Sequence, residues 1–226
     1  DDRPGNGEVR EVMATVDGEP VLQATAVIAA PTTFYAFPGQ GIQSKGMGLE
    51  ARTNSAAARS VWDEADRVTR ENLGFSVLAI VRDNPTEVTV KGRRFHHPEG
   101  VLNLTQFTQV SMATLGLAQA AELREAGVMD EEAYFAGHSV GEYNALAAFA
   151  GVLDAAAVLE VVYHRGLTMH SLVPRDENGR SNYGLAALRP DKCGVAESDV
   201  EEFVNGIAEK SGEFLEVVNH NLAGKQ

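Results

Sequence analysis

The sequence predicts an α/β domain, and three observations carry that reading. Residues 133–148 begin as a short apolar run, turn sharply at Gly137-His138-Ser139-Val140-Gly141 and continue as small and apolar residues suited to a helix. Residues 33–37 form a second short apolar strand that runs straight into a glycine-rich loop, 38–48. Around these strands lie three long stretches, 55–73, 105–126 and 154–172, whose apolar residues recur at the three-and-four spacing of a helix.

The chain has 226 residues, room for one large domain or one and a half small ones. A hydrophobic content of 44% supports a real core, and 23% charged residues is ordinary for a globule. The net charge of −13 argues against a nucleic-acid binder or a polybasic membrane protein, so an anionic ligand must find a local positive site. One cysteine, Cys193, excludes an internal disulfide framework and a thiolate zinc cluster, and suits a reducing cytoplasm. No apolar run has the length of a membrane span, and residues 1–7 lack a signal-peptide layout.

Taken in order, Val9, Glu11, Met13 and Thr15 alternate with their neighbours, Asp17-Gly18-Glu19-Pro20 turns, and 21–29 reads as a second strand. Asp-Gly between two strands predicts a hairpin. Residues 30–32 read as a linker. The loop 38–48 is not a phosphate loop: Gly41 and Gly46 match the ends of G-x-x-x-x-G, but Met47 stands where lysine is required. Its glycines suit a backbone that must pass close to a ligand or to the serine. The helix 55–73 places Ala58, Val61, Trp62, Ala65 and Val68 inward and ends at Gly74, with Trp62 read as core. Residues 82–101 are polar and turn-rich and read as a solvated loop. The His96-His97 pair within it points two ways and has no third metal ligand near.

The helix 105–126 carries Phe107, Val110, Leu117 and Ala121 on one side, with Gln109 beside that stripe; a buried glutamine needs partners, so it touches solvent or lines a site. After the 133–148 stretch, Asp154 caps a helix to about residue 172 whose apolar face is Val158, Val161, Val162, Met169 and Leu172. Arg165 falls on that face. It is either an arginine snorkelling at the edge or a guanidinium held ready for a carboxylate. Residues 174–182 read as a polar loop. Beyond it come a strand at 183–188, a helix at 198–210 with a Ser198/Glu201 capping box, and a strand at 214–219. A β-α-β unit followed by nothing suggests a chain that is cut.

The turn at 137–141 has the G-x-S-x-G pattern of a nucleophile elbow, strand then tight turn then helix. Side chains two before or two after Ser139 would crowd the turn that pushes its hydroxyl out. The helix starting at Val140 aims its unpaired N–H groups and positive dipole end at the serine, where an oxyanion would form.

Four motifs in order, Tyr35-Ala-Phe-Pro-Gly-Gln-Gly41, Gly137-His-Ser-Val-Gly141, Arg165 and Val218-Asn-His-Asn221, resemble the malonyl-CoA:acyl-carrier-protein acyltransferases. The spacing is most similar to the malonyl/palmitoyl transferase domains of giant type I fatty acid synthases of the fungal and actinobacterial kind. The resemblance covers about 33–226, and residues 8–30 resemble the last strands of a dehydratase-type hot-dog domain. It implies an α/β-hydrolase-like parallel sheet core at 33–182 and, at 183–226, the first half of a small ferredoxin-like subdomain, with residues 1–32 as the end of a preceding domain and its linker.

The resemblance also implies roles. Ser139 is the expected nucleophile, Gln40 and Val140 the backbone donors of the oxyanion hole, and Arg165 the clamp on the free carboxylate of malonate. Gln109 and His138 line the site; Asn219 and Asn221 lie near the catalytic base. The family's catalytic histidine belongs some tens of residues beyond Asn221, past the end of this chain, so little turnover is expected of it alone. Of the histidines present, only His220 stays open as a substitute; His138 belongs to the elbow, His164 points elsewhere and His170 lies near its helix end. No metal or bound nucleotide is expected. The implied partners are malonyl-CoA, an acyl carrier protein domain with its phosphopantetheine arm, and the other domains of a synthase. The rival readings are a serine esterase or thioesterase on a similar sheet and a structural piece whose serine is idle.

Overall fold

A computed structural model of the chain describes residues 9–27, 33–177 and 180–226. The chain divides into two compact units, 1–180 and 181–226.

In the first unit, β1 (Val9–Val16) and β2 (Glu19–Val27) pair antiparallel, Val9 opposite Val27 and Ala14 opposite Leu22. The turn residues Asp17 and Gly18 both have positive φ, 52° and 85°, the two-residue hairpin turn that Asp-Gly favours. The expected end of this strand at 28–29 and the linker 30–32 lie outside the described residues. β3 (Phe34–Phe37) follows, and the glycine-rich loop closes on a short helix the sequence did not announce, α1 (Leu49–Asn54). α2 (Ala56–Val68) starts on Ser55, whose Oγ accepts from the Ala58 N–H at 2.9 Å and donates to Glu125 at 2.5 Å. Its buried residues are Ala58, Trp62, Ala65 and Val68, as the spacing predicts, while Val61, also expected inward, is half-buried against them. The last turn, Thr69–Leu73, widens so that the Gly74 N–H reaches back to the Thr69 carbonyl at 2.8 Å, and Gly74 ends the helix with φ 86°.

Residues 82–101 are not a plain loop. α3 (Val77–Asp83) enters the segment, and β4 (Glu87–Val90) and β5 (Arg93–His96) form an antiparallel hairpin. Its turn is Lys91-Gly92, again with two positive φ angles, 49° and 80°. Val90 and Phe95 are buried, and Phe95 meets Phe107 edge-on at 5.5 Å. The two basic and two histidine residues around Phe95 mask its alternation when the sequence is read alone.

α4 (Thr105–Glu125) departs from the one-sided stripe expected of it. Residues 106–114 are buried all round, because this helix has α2 and α6 packed against it and α5 beside it. Its buried threonine hydroxyls turn to carbonyls, Thr108 to Leu102 and Leu104 and Thr114 to Val110, while the buried Ser111 Oγ has no hydrogen-bond partner. β6 (Tyr134–Gly137) pairs parallel with β3, Phe34 opposite Tyr134 and Phe37 opposite Gly137. α5 (Val140–Ala148) and α6 (Ala155–Leu172) complete the unit, with the Asp154 carboxylate accepting from the Ala157 N–H at 2.7 Å. The buried face of α6 is Val158, Leu159, Val162, Tyr163 and Gly166. Val161, Met169 and Leu172, placed on that face by the sequence reading, are exposed, and Arg165 lies at its border.

In the second unit, α7 (Pro190–Cys193) precedes a single 3-10 turn, Glu197–Asp199, and α8 (Val200–Ser211). The strands expected at 183–188 and 214–219 are not formed. A strand is defined by a paired neighbour, and neither segment has one among the described residues. The Ser198/Glu201 capping box is absent too; the Ser198 hydroxyl donates to Asp199 at 2.7 Å.

Two consequences for stability can be measured. A Cβ at Gly166 would sit 2.5 Å from the Gln106 Cα and 2.8 Å from its N, backbone that cannot step aside. Gly166→Ala is expected to lower unfolding free energy by about 1–3 kcal/mol in urea titrations. At the end of α6, burial, then the charges of Arg175 and Arg93, push the His170 imidazole down from 6.5 to about 4. Between those values the unfolded chain binds the proton and the folded one does not, so stability falls as pH drops through this window. In His170→Gln the urea midpoint is expected to depend less on pH between 6.5 and about 4.

Candidate active site

The parallel register of β3 and β6 sets two loops side by side at the carboxyl ends of the strands, where open α/β sheets place their sites. One loop carries Gln40, the other Ser139. They touch: a Cβ at Gly39 would lie 2.6 Å from His138 Nδ1. An open cleft of about 380 Å³ lies here, lined by Ala36, Phe37, Pro38, Ala136, Gly137 and His138.

Ser139 sits at the tip of the turn with φ 56° and ψ −110°, a conformation that costs a non-glycine residue about 1–3 kcal/mol. The surroundings impose it. A Cβ at Gly137 would come within 2.0 Å of the Gly141 carbonyl carbon, and one at Gly141 within 2.1 Å of the Phe37 carbonyl oxygen. The first turn of α5 is tied down by the Gly141 N–H to the His138 carbonyl at 2.9 Å and the Glu142 N–H to the Ser139 carbonyl at 3.2 Å. Val140, fully buried, is the first residue of the helix whose amino end faces the serine.

Arg165 and Ser139 meet. The Arg165 Nη2 donates to Ser139 Oγ at 3.0 Å, and Nη1 donates to Gln109 Oε1 at 2.8 Å. Gln109, almost wholly buried, in turn points its Nε2 at Met169 Sδ, 3.4 Å away. The Arg165 Cζ lies 5.7 Å from the centre of the Tyr143 ring. Tyr143 is a neighbour that the sequence reading missed, and its position gave the signal: it lies one turn into the helix that follows Ser139. No carboxylate pairs with Arg165 among the described residues. Chemically, a hydroxyl on a strained turn, a helix amino end and a half-buried guanidinium with a free side suit nucleophilic attack on an acyl group that itself bears an anion.

Of the other expected residues, His138 is exposed at the elbow, while Asn219 and Asn221 belong to the second unit, as does His220. His164, expected to point elsewhere than Arg165, is exposed and its ring meets Tyr163. Among the described residues no group of three or more His, Cys, Asp or Glu side chains gathers to hold a metal ion.

The model of the acyl transferase domain family matches residues 34–221. The chain belongs to the acyl transferase domain family. Among similar proteins is fatty acid synthase 2 of Mycosarcoma maydis, 38% identical over 254 residues, covering 92% of this chain and 7% of that one. Fatty acid synthase subunit beta of Saccharomyces cerevisiae is 35% identical, with 91% and 12% covered. The chain therefore spans a small fraction of the relatives it matches. Among solved structures, an acyl carrier protein S-malonyltransferase of Vibrio cholerae is 32% identical with a TM-score of 0.51, over 63% of this chain and 40% of that one. The Acinetobacter baumannii protein FabD is 26% identical with a TM-score of 0.58, over 81% and 49%. The mixed helical and parallel-sheet fold of this acyl transferase domain matches theirs.

The elbow's glycines give the domain its sharpest structural test. Gly141→Ala must displace either α5 or the end of β3, and the expected cost is about 3 kcal/mol or more, read from urea denaturation, with loss of Ser139 reactivity toward acylating probes.

Proposed function

We propose that this domain moves malonyl groups, and palmitoyl groups in the return direction, between CoA and the acyl carrier protein of a type I fatty acid synthase. The single observation that carries the reading is the 3.0 Å contact between the Arg165 guanidinium and the Ser139 hydroxyl. A malonyl thioester has its free carboxylate two carbons from the carbonyl under attack, so a cation beside the nucleophile is where such a substrate needs one. A lipid esterase has no use for it.

In the first step Ser139 Oγ, its proton taken by a general base, attacks the thioester carbonyl. Backbone N–H groups of Gln40 and Val140 hold the oxyanion, and the C–S bond breaks to release CoA, which takes up a proton. In the second step the phosphopantetheine thiol of the carrier attacks the acyl-serine, and the serine oxygen recovers its proton. Arg165 turns from Ser139 to pair with the malonyl carboxylate, held in line by Gln109; His138 borders the entrance. For a palmitoyl group the same guanidinium swings aside. Asn219 and Asn221 order the region of the base. The lone Cys193, exposed, suits the reducing cytoplasm expected of such a synthase.

Two variants in the protein that carries this domain test the reading. Ser139→Ala is expected to abolish the mass increase of one malonyl group after incubation with malonyl-CoA. Arg165→Ala is expected to slow malonyl loading by about ten- to a hundredfold, the worth of a charged hydrogen bond, while palmitoyl loading changes little. Equal losses for both acyl groups would remove the carboxylate clamp from the account.

A further inference from the structure

Met169 is the misfit of α6. It is apolar, yet 43% exposed, and it does not belong to the packed core of the unit. It follows Arg165 by four residues, so the two share one face of the helix. Nothing in the acyl-transfer steps above uses it. Its polar contact offers the explanation: the Gln109 Nε2 donates to Met169 Sδ at 3.4 Å, within reach of a hydrogen bond to sulfur.

Gln109 is 1% exposed, and a buried amide must find partners for both of its ends. It has two hydrogen bonds among the described residues: its Oε1 accepts from the Arg165 Nη1 at 2.8 Å, and its Nε2 donates to Met169. Gln106, one turn earlier on α4, is fully buried with neither amide atom partnered, so it gives Gln109 no support. A guanidinium only donates and a thioether only accepts. The amide is therefore held from both ends in one orientation, oxygen toward Arg165 and nitrogen toward Met169. Turned by half a rotation, it would set its own N–H groups against the guanidinium.

The chemistry of position 169 is restricted by the same geometry. A carboxylate there would accept from Gln109, but at the four-residue spacing of a helical ion pair it would also neutralise Arg165. A leucine would fill nearly the same volume and leave the buried Gln109 nitrogen without an acceptor. A thioether satisfies the amide and leaves the cation its charge. We propose that Met169 is a positioning residue for the carboxylate clamp. Through Gln109 it fixes the Nη1 side of the Arg165 guanidinium, so that only the Nη2 side exchanges Ser139 for the carboxylate of the acyl group. The proposal rests on the acyl-transfer reading and names what sets that site's preference for carboxyacyl over plain acyl groups.

The test is the rate of malonyl and palmitoyl loading against substrate concentration, in the protein that carries this domain, for the wild type, Met169→Leu, Arg165→Ala and the double variant. Met169→Leu is expected to raise KM for malonyl-CoA by about three- to tenfold, the worth of one hydrogen bond, with kcat and palmitoyl loading as they were. In the Arg165→Ala background it is expected to add nothing, because its effect runs through that guanidinium. Equal losses for both acyl groups, a loss that persists without Arg165, or no change at all overturns the proposal. A second readout is independent of acylation: hydrogen exchange of the Gln109 side-chain amide by NMR in the full chain, assigned with Gln109→Ala. Met169→Leu is expected to speed that exchange by about three- to tenfold; unchanged exchange overturns the proposal. If the wild type leaves Ser139 unacylated by malonyl-CoA while the amide still depends on Met169, the acyl-transfer reading fails and the positioning of Gln109 stands.

Discussion

Two backbones meet at the elbow with no side chain between them, and the architecture of the first unit follows from that approach. Gly141 lies against the carbonyl of Phe37 and Gly137 against Gly141 itself, so β3, β6 and the start of α5 share one small volume. The approach forces Ser139 out of the ordinary backbone regions and lifts its hydroxyl clear of the sheet. It also brings the loop after β3, which carries Gln40, against His138.

The second requirement is a cation kept near that hydroxyl without collapsing into an ion pair. Burying a guanidinium is costly unless its donors are met. Here neutral groups meet them: the amide oxygen of Gln109, the hydroxyl of Ser139 and the face of Tyr143. A carboxylate in any of these places would satisfy Arg165 better and leave it less to offer a ligand. The nearly complete burial of Gln109 is explained by the same arrangement, since its oxygen takes from Arg165 and its nitrogen turns to Met169.

Elements whose signal is local were legible in the sequence. The Asp17-Gly18 turn, the cap at Asp154, the stop at Gly74 and the strand-turn-helix at 137–141 each depend on a few adjacent residues with strong backbone preferences. The meeting of Ser139 and Arg165 came from the resemblance to a family, not from periodicity. Periodicity in fact misplaced the face of α6, because Met169 and Leu172 are apolar yet exposed. Features that depend on neighbours were harder. α4 carries Gln106, Thr108, Gln109, Ser111 and Thr114 among its buried residues, so its sequence reads as one-sided although residues 106–114 are enclosed. The β4–β5 hairpin hides behind charge, and the segments at 183–188 and 214–219 have strand-like composition but, among the described residues, no strand to pair with.

Gly166 brings the backbone of α6 against that of α4 one residue after the arginine that faces Ser139. A helix seated so closely has no slack to drift outward when a bulkier group arrives. Adjustment at that position must therefore come from torsions along the long side chain itself, and the range of cargo tolerated becomes a matter of rotamers within a stiff frame.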